Sequence, residues 1–250
     1  MKLDIEKVVA EITDQLIKEG VISPQSAFTG GDIKKDNLAA ALEHSMLHKG
    51  VTEEEIRSAC EQARQYAIGG FVVPVWHTAF TAKCLSGSGV KLVTAISFPT
   101  GGESLSCKLQ EVKEALENGV DEIDVVPNFS RLQHGRYAEE SAELMEIIAL
   151  AKPKMKVKIN IEWGYFSDEQ KADILKMAVD CGADFVKVQH FLASGKAQPE
   201  EVKFIRSVVG NAIGIKIDGG IRTAEFCREL MQAGANRMGL TATFAIMAES

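Results

Sequence analysis

The 250-residue chain contains no run of about 18 apolar residues, so no membrane-spanning helix is expected. Basic residues are also in short supply: 28 lysines and arginines against 35 acidic side chains leave a net charge of −7. That balance offers no positive face for gathering the phosphates of a nucleic acid. Cysteine is sparse and scattered. Cys60, Cys84, Cys107, Cys181 and Cys227 form no C-x-x-C pair, a usage that fits a reduced, cytoplasmic protein rather than a disulfide framework. The opening Met1-Lys2-Leu3-Asp4-Ile5-Glu6-Lys7 mixes both charge signs and lacks the apolar core of a signal peptide. His44 and His48 have a helical i, i+4 spacing but fall on an expected strand end without a third ligand, so no metal is expected. Ser86-Gly87-Ser88-Gly89 lacks the lysine of a phosphate-cradling loop and reads as a helix-to-strand link.

What the chain has is alternation. Residues 3–18 carry apolar positions at helical spacing, and residues 20–37 are rich in glycine, serine and charge, so 1–37 reads as a helix and loop placed before the main domain, 38–250. From residue 38 onward, short apolar runs at 42–47, 68–73, 91–97, 122–126, 156–161, 184–188, 213–217 and 237–240 predict eight strands. Between them, amphipathic stretches at 52–66, 77–85, 104–118, 137–151, 167–181, 198–209 and 223–233 predict helices. Thr52 and Ser167 are placed as N-caps, and Gly119, Gly182 and Gly234 as stops. Strict strand–helix alternation predicts a parallel sheet, and eight units closing on themselves make a TIM (β/α)8 barrel. A doubly wound open sheet is the alternative.

Two lysines interrupt otherwise apolar strands, Lys187 in 184–188 and Lys216 in 213–217. An ammonium is costly there unless something uses or neutralises it. Two like charges at neighbouring strand ends are expected to raise each other's cost of protonation, which makes an amine nucleophilic near neutral pH. In strand 156–161 and the residue that follows it, Val157, Ile159 and Ile161 alternate with Lys158, Asn160 and Glu162, and in 122–126 Ile123 and Val125 alternate with Glu122 and Asp124. The polar set then faces the lumen and brings Asp124, Asn160, Glu162, Lys187 and Lys216 to one wall. A neutral lysine there can condense with a carbonyl, and the protonated imine acts as an electron sink for carbon–carbon cleavage, with Asp124 placed to move protons.

Glu122-Ile123-Asp124-Val125-Val126-Pro127-Asn128, Phe185-Val186-Lys187 and Lys216-Ile217-Asp218-Gly219-Gly220-Ile221-Arg222-Thr223 resemble three signature segments of the deoxyribose-phosphate aldolase family. Residues 90–99, 158–167 and 234–239 are similar to the family's connecting text, so the resemblance spans about 42–248. It implies a class I aldolase on a TIM barrel, without metal or cofactor, that joins acetaldehyde to glyceraldehyde 3-phosphate and reverses the reaction. It implies Lys187 as the Schiff-base lysine, Lys216 as the lysine that depresses its pKa, and Asp124 as the proton relay. It also implies a homo-oligomer, since family members are often dimers or larger.

The chain departs from the family around the substrate. Where the family has Thr-Ser-Thr-Gly after the lysine, it has Val188-Gln189-His190-Phe191, which makes His190 a candidate for a substrate hydroxyl. Gly239-Leu240-Thr241-Ala242 keeps one hydroxyl of a pair that helps hold phosphate in the family, so Gly239 and Thr241 are candidate contacts. Gly219 and Gly220, ahead of a helix, offer backbone N–H groups to an anion, although Asp218 beside them would repel a phosphate dianion. Glu43 stands where the family has a shorter aspartate. Aldolase chemistry on a small sugar phosphate is expected; a class I aldolase for a different, unphosphorylated substrate and a silent metabolite-binding barrel are the alternatives.

Overall fold

The structure is a computed structural model in which residues 37–193 and 195–250 are described. The helix and loop read over the preceding residues lie outside them. Eight strands form a closed, all-parallel barrel in the order of the chain: β1 (Leu42–Ser45), β2 (Gly70–Val73), β3 (Lys91–Ile96), β4 (Glu122–Val125), β5 (Lys156–Glu162), β6 (Phe185–Gln189), β7 (Gly214–Asp218) and β8 (Arg237–Leu240). The helices are α1 (Leu38–Ala41), α2 (Glu53–Tyr66), α3 (Thr78–Leu85), α4 (Leu105–Glu117), α5 (Phe129–Gln133), α6 (Tyr137–Ala151), α7 (Asp168–Asp180), α8 (Pro199–Val209), α9 (Ala224–Ala233) and α10 (Thr243–Ala248). The fold is the expected TIM barrel. Closure leaves no edge strand, so every strand finds two partners.

Local chemistry sets the helix ends. Thr52 and Ser167 each accept a backbone N–H three residues on, from Glu55 and Gln170, whose side chains reach back to the cap, so two otherwise orphaned donors are satisfied at each helix start. Gly234 stops α9 with a φ of 116°, a conformation that favours glycine.

Side chains from every second loop pin the strands at the N-terminal end of the barrel. Asp121, just before β4, accepts from the Leu92 N–H at 2.9 Å. Asp184, just before β6, accepts from Val157 N–H at 2.8 Å, and Asn236, just before β8, from Ile215 N–H at 2.8 Å. These bonds help hold a register in which Asp124 pairs with Lys158, Asn160 with Lys187 and Lys187 with Lys216.

The two faces of the strands separate as the alternation predicts. Val157, Ile159, Ile161, Val186, Val188, Ile215 and Ile217 join the apolar core, while Glu122, Asp124, Lys158, Asn160, Glu162, Lys187 and Lys216 are buried polar residues. The glycine-rich link at residues 86–89 joins α3 to β3 and lines a separate depression with Lys91 and Asp121.

Candidate active site

The centre of the barrel is an ion network rather than an apolar plug. Asp124 on β4 is its hub. Its Oδ2 accepts from Lys187 Nζ at 3.0 Å and from Lys216 Nζ at 2.8 Å, and its Oδ1 from Lys158 Nζ at 3.0 Å. Lys158 also meets Glu122 at 2.7 Å, and Lys216 meets Glu43 at 2.5 Å. Arg237 reaches Glu43 at 3.3 Å and Glu122 at 3.6 Å, and Asp218 meets Lys187 at 3.0 Å. Lys158, Lys187, Lys216 and Arg237 thus balance Glu43, Glu122, Asp124 and Asp218, which is what makes burying so many charges tolerable.

Mutual repulsion is not what sets the protonation of Lys216. Burial works against its charge, but the Asp124, Glu43 and Asp218 carboxylates outweigh burial and push its pKa up, so it is a fixed cation. The neighbouring lysine does not make Lys216 a depressed amine, because carboxylates surround it. Lys158 behaves the same way: burial opposes its charge, and Asp124, Glu122 and Glu43 raise its pKa overall. Burial alone would push the Asp124 carboxyl up, yet the Lys158, Lys216 and Lys187 ammonium groups hold it well below the usual carboxylate range.

Above this floor opens a cavity of about 300 Å³. Lys187, Gln189, His190, Asp218, Gly219, Gly220, Arg222, Gly239 and Thr241 line it, with Phe98 and Phe191 in contact at a 5.0 Å ring separation. His190 is held by Glu201 at 3.1 Å from its Nε2. Gly239 is required for close approach: a Cβ there would lie 2.1 Å from Asp218 Oδ1. Of the residues the sequence placed at the site, Glu43, Asn160 and Glu162 lie fully buried and engaged with protein groups. Glu43 holds Lys216 and Arg237; Asn160 donates to Gln189 at 3.1 Å. Glu162 accepts from the backbone N–H groups of Phe191 and Ala193 and from Gln189, so it anchors the loop after β6.

Sequence reasoning left Lys158, Arg237 and Gln189 without a role. The alternation of β5 places Lys158 in the lumen, but its contact with Asp124 depends on the register between strands. His44 and His48 go separate ways: His44 is packed against Phe244 and bonded to Thr243, and His48 is turned to the Lys49 carbonyl. Among the described residues no cluster of three His, Cys, Asp or Glu could hold a metal, and no helix is long and apolar enough to cross a membrane.

A closed β/α barrel with paired lysines bridged by a buried carboxylate at the floor of a cavity defines a lysine-centred barrel enzyme. A family profile described as "DeoC/LacD family aldolase" matches residues 87–247, and the chain belongs to that family. It is 36% identical to the deoxyribose-phosphate aldolase of Clostridium tetani over 209 residues, 84% of this chain and 97% of that protein. It is also 36% identical to that of Caldicellulosiruptor saccharolyticus over 218 residues, 86% of this chain and 99% of the other. Among solved structures, the tetrameric deoxyribose phosphate aldolase from Aeropyrum pernix superposes with a TM-score of 0.79 at 28% identity, covering 85% of this chain and 90% of that one.

Proposed function

We propose that the chain is a class I aldolase that cleaves and forms a carbon–carbon bond of a small sugar phosphate, with deoxyribose 5-phosphate, acetaldehyde and glyceraldehyde 3-phosphate as the reference substrates. The observation that carries the reading is Asp124 Oδ2 held between the ammonium groups of Lys187 and Lys216 at the floor of the cavity. Lys187 is the nucleophile because it alone of the luminal lysines lines the cavity. Its imine with the substrate aldehyde withdraws electrons from the bond two carbons away; that bond breaks as the hydroxyl on the departing carbon gives its proton to water or a carboxylate at the site, leaving an enamine and releasing the acceptor aldehyde. Lys216 is the neighbouring cation. Asp124 is the proton relay beside Lys187, and its weak basicity suits handing a proton on rather than keeping it.

The backbone at Gly219 and Gly220, the Thr241 hydroxyl and the Arg222 side chain form the wall that takes the far end of the substrate, with His190 and Gly239 beside them. Asp218 next to that wall favours a substrate whose far end is uncharged, which supports the second reading, an aldolase for an unphosphorylated aldose. The tetrameric Aeropyrum pernix relative supports a homo-oligomer, and five free cysteines support a cytoplasmic protein. Nothing in the chemistry calls for a metal or cofactor.

The test is borohydride trapping with acetaldehyde and with deoxyribose 5-phosphate, read by peptide mass spectrometry beside Lys187→Met. A Lys187 adduct with either compound, absent in the variant, is the expected result. Full turnover by Lys187→Met would refute the reading.

A further inference from the structure

Two carboxylates stand within hydrogen-bond distance of Lys187 Nζ, and they are not equivalent. Asp124 is fully buried and accepts from three ammonium groups, so its oxygens are already engaged and it is poorly placed to keep a proton of its own. Asp218 closes β7 at the cavity wall. Its Oδ2 lies 3.0 Å from Lys187 Nζ, its side chain is 18% exposed, and its Oδ1 is buried with no hydrogen-bond partner among the described residues. It therefore touches the amine on one oxygen and has acceptor capacity left on the other. The same charge disfavours an anion on the adjacent Gly219–Gly220 backbone, so its presence there calls for a use, and the amine beside it provides one.

We propose that Asp218 is the base that takes the proton from the Lys187 ammonium to start imine formation, and that it gives the proton back when water leaves. The proposal rests on Lys187 being the nucleophile. The Asp218 carboxylate accepts one proton from Nζ. The freed lone pair forms the N–C bond to the substrate carbonyl carbon as the carbonyl π pair moves to oxygen. One further proton passes from the nitrogen to that oxygen, giving a neutral carbinolamine. Asp218 then returns its proton to the hydroxyl, the C–O bond breaks, water departs, and the nitrogen lone pair closes the protonated imine. Three ammonium protons end as one on the imine and two in water, and Asp218 is again a carboxylate.

The arrangement divides the labour between the two acids. Asp124 stays ionised to hold Lys187 and Lys216 in place and to relay, while Asp218 performs the reversible proton transfer at the cavity. Because it contacts the reacting nitrogen, Asp218 is a catalytic residue and not merely a shaper of the pocket.

The experiment is rapid mixing of the full-length protein with acetaldehyde, quenched at intervals with borohydride, to follow the rate at which the Lys187 adduct appears. Asp218→Asn keeps the shape and removes the base; Asp218→Ala leaves space for a small external carboxylate. Adduct formation is expected to slow by about 100-fold in both, within the range that general bases contribute. Added formate is expected to restore the alanine variant by 10-fold or more and to leave the asparagine variant unchanged, a response that a shape-keeping role does not produce. Adduct formation in Asp218→Asn within about threefold of the parent, or an alanine variant that stays slow at every formate concentration, would overturn the assignment while leaving the aldolase reading standing. A parent protein that forms no Lys187 adduct would overturn both.

Discussion

Removing Lys158 tests whether the luminal charges act as one balanced unit. Its side chain has no exposure, and it meets Glu122 at 2.7 Å, Asp124 at 3.0 Å and Glu43 at 3.7 Å. Lys158→Met fills similar volume but leaves the network one negative charge in excess, in a place water does not reach. Breaking a buried pair by removing one partner costs about 3–5 kcal/mol, most of it the penalty for the charge left behind. That penalty is avoided if an orphaned carboxylate picks up a proton, so its pKa in the folded variant rises above its unfolded value of about 4. A raised folded pKa gives stability that is present at low pH and lost as pH rises through it. The variant should therefore be nearly as stable as the parent at about pH 4.5 and weaker by about 3–5 kcal/mol at pH 8. Urea unfolding across that range reads the difference. Adding Glu122→Gln restores the charge balance and should recover most of the loss at pH 8, so the two substitutions are strongly non-additive. A loss under 1 kcal/mol at pH 8, or one that does not vary with pH, would mean that the network is screened by water and that balance is not its principle.

Asp124→Asn should lower kcat by about 100-fold, since the relay is lost and Lys216 and Lys187 lose their shared anion; a coupled aldehyde-release assay reads it. Gly239→Ala puts a methyl 2.1 Å from Asp218 Oδ1 and 2.5 Å from its Cγ, so the carboxylate must swing away from Lys187. A fall in kcat of about 10- to 100-fold with the fold intact by circular dichroism is expected, and unchanged turnover would contradict the placement of Asp218. His44 is buried against Phe71 and Phe244, and burial drops its pKa from 6.5 to about 4. Its neutral form is favoured in the fold, so stability declines by up to about 3 kcal/mol as pH falls from 6.5 toward 4. His44→Phe should flatten that part of the pH–stability curve, measured by thermal unfolding.

The barrel was legible because its signals are local. Strand β8 and helix α6 occupy the residues that the apolar pattern predicts, 237–240 and 137–151, and the Thr52 and Ser167 caps form as their sequence neighbours require. The short helices α5 and α10 were missed, since five or six residues carry too little periodicity to read. Lys187, Lys216 and Asp124 stand out in the sequence because a charged residue inside an apolar strand is conspicuous wherever it falls. Their partners were not. Glu43 meets Lys216 across 173 residues of chain, and Arg237 meets Glu43 across 194, separations that only closure of the barrel brings together. The same holds for Asp218, whose carboxylate reads from sequence as a neighbour of two glycines and proves to be a partner of Lys187.

The pins beneath β3, β5 and β7 give the far end of the barrel a say in the chemistry. Asp184 and Asn236 touch no group near the cavity, yet each fixes how far one strand has advanced along its neighbour. Successive side chains point to opposite faces, so an advance of one residue in β6 would carry Lys187 outward among the helices and turn Val186 or Val188 into the lumen. The position of the reactive amine is in this sense written at the floor: a gear tooth set at one rim of the cylinder determines which tooth is presented at the other. Substitutions that loosen these pins would blunt activity without altering a single atom that substrate meets.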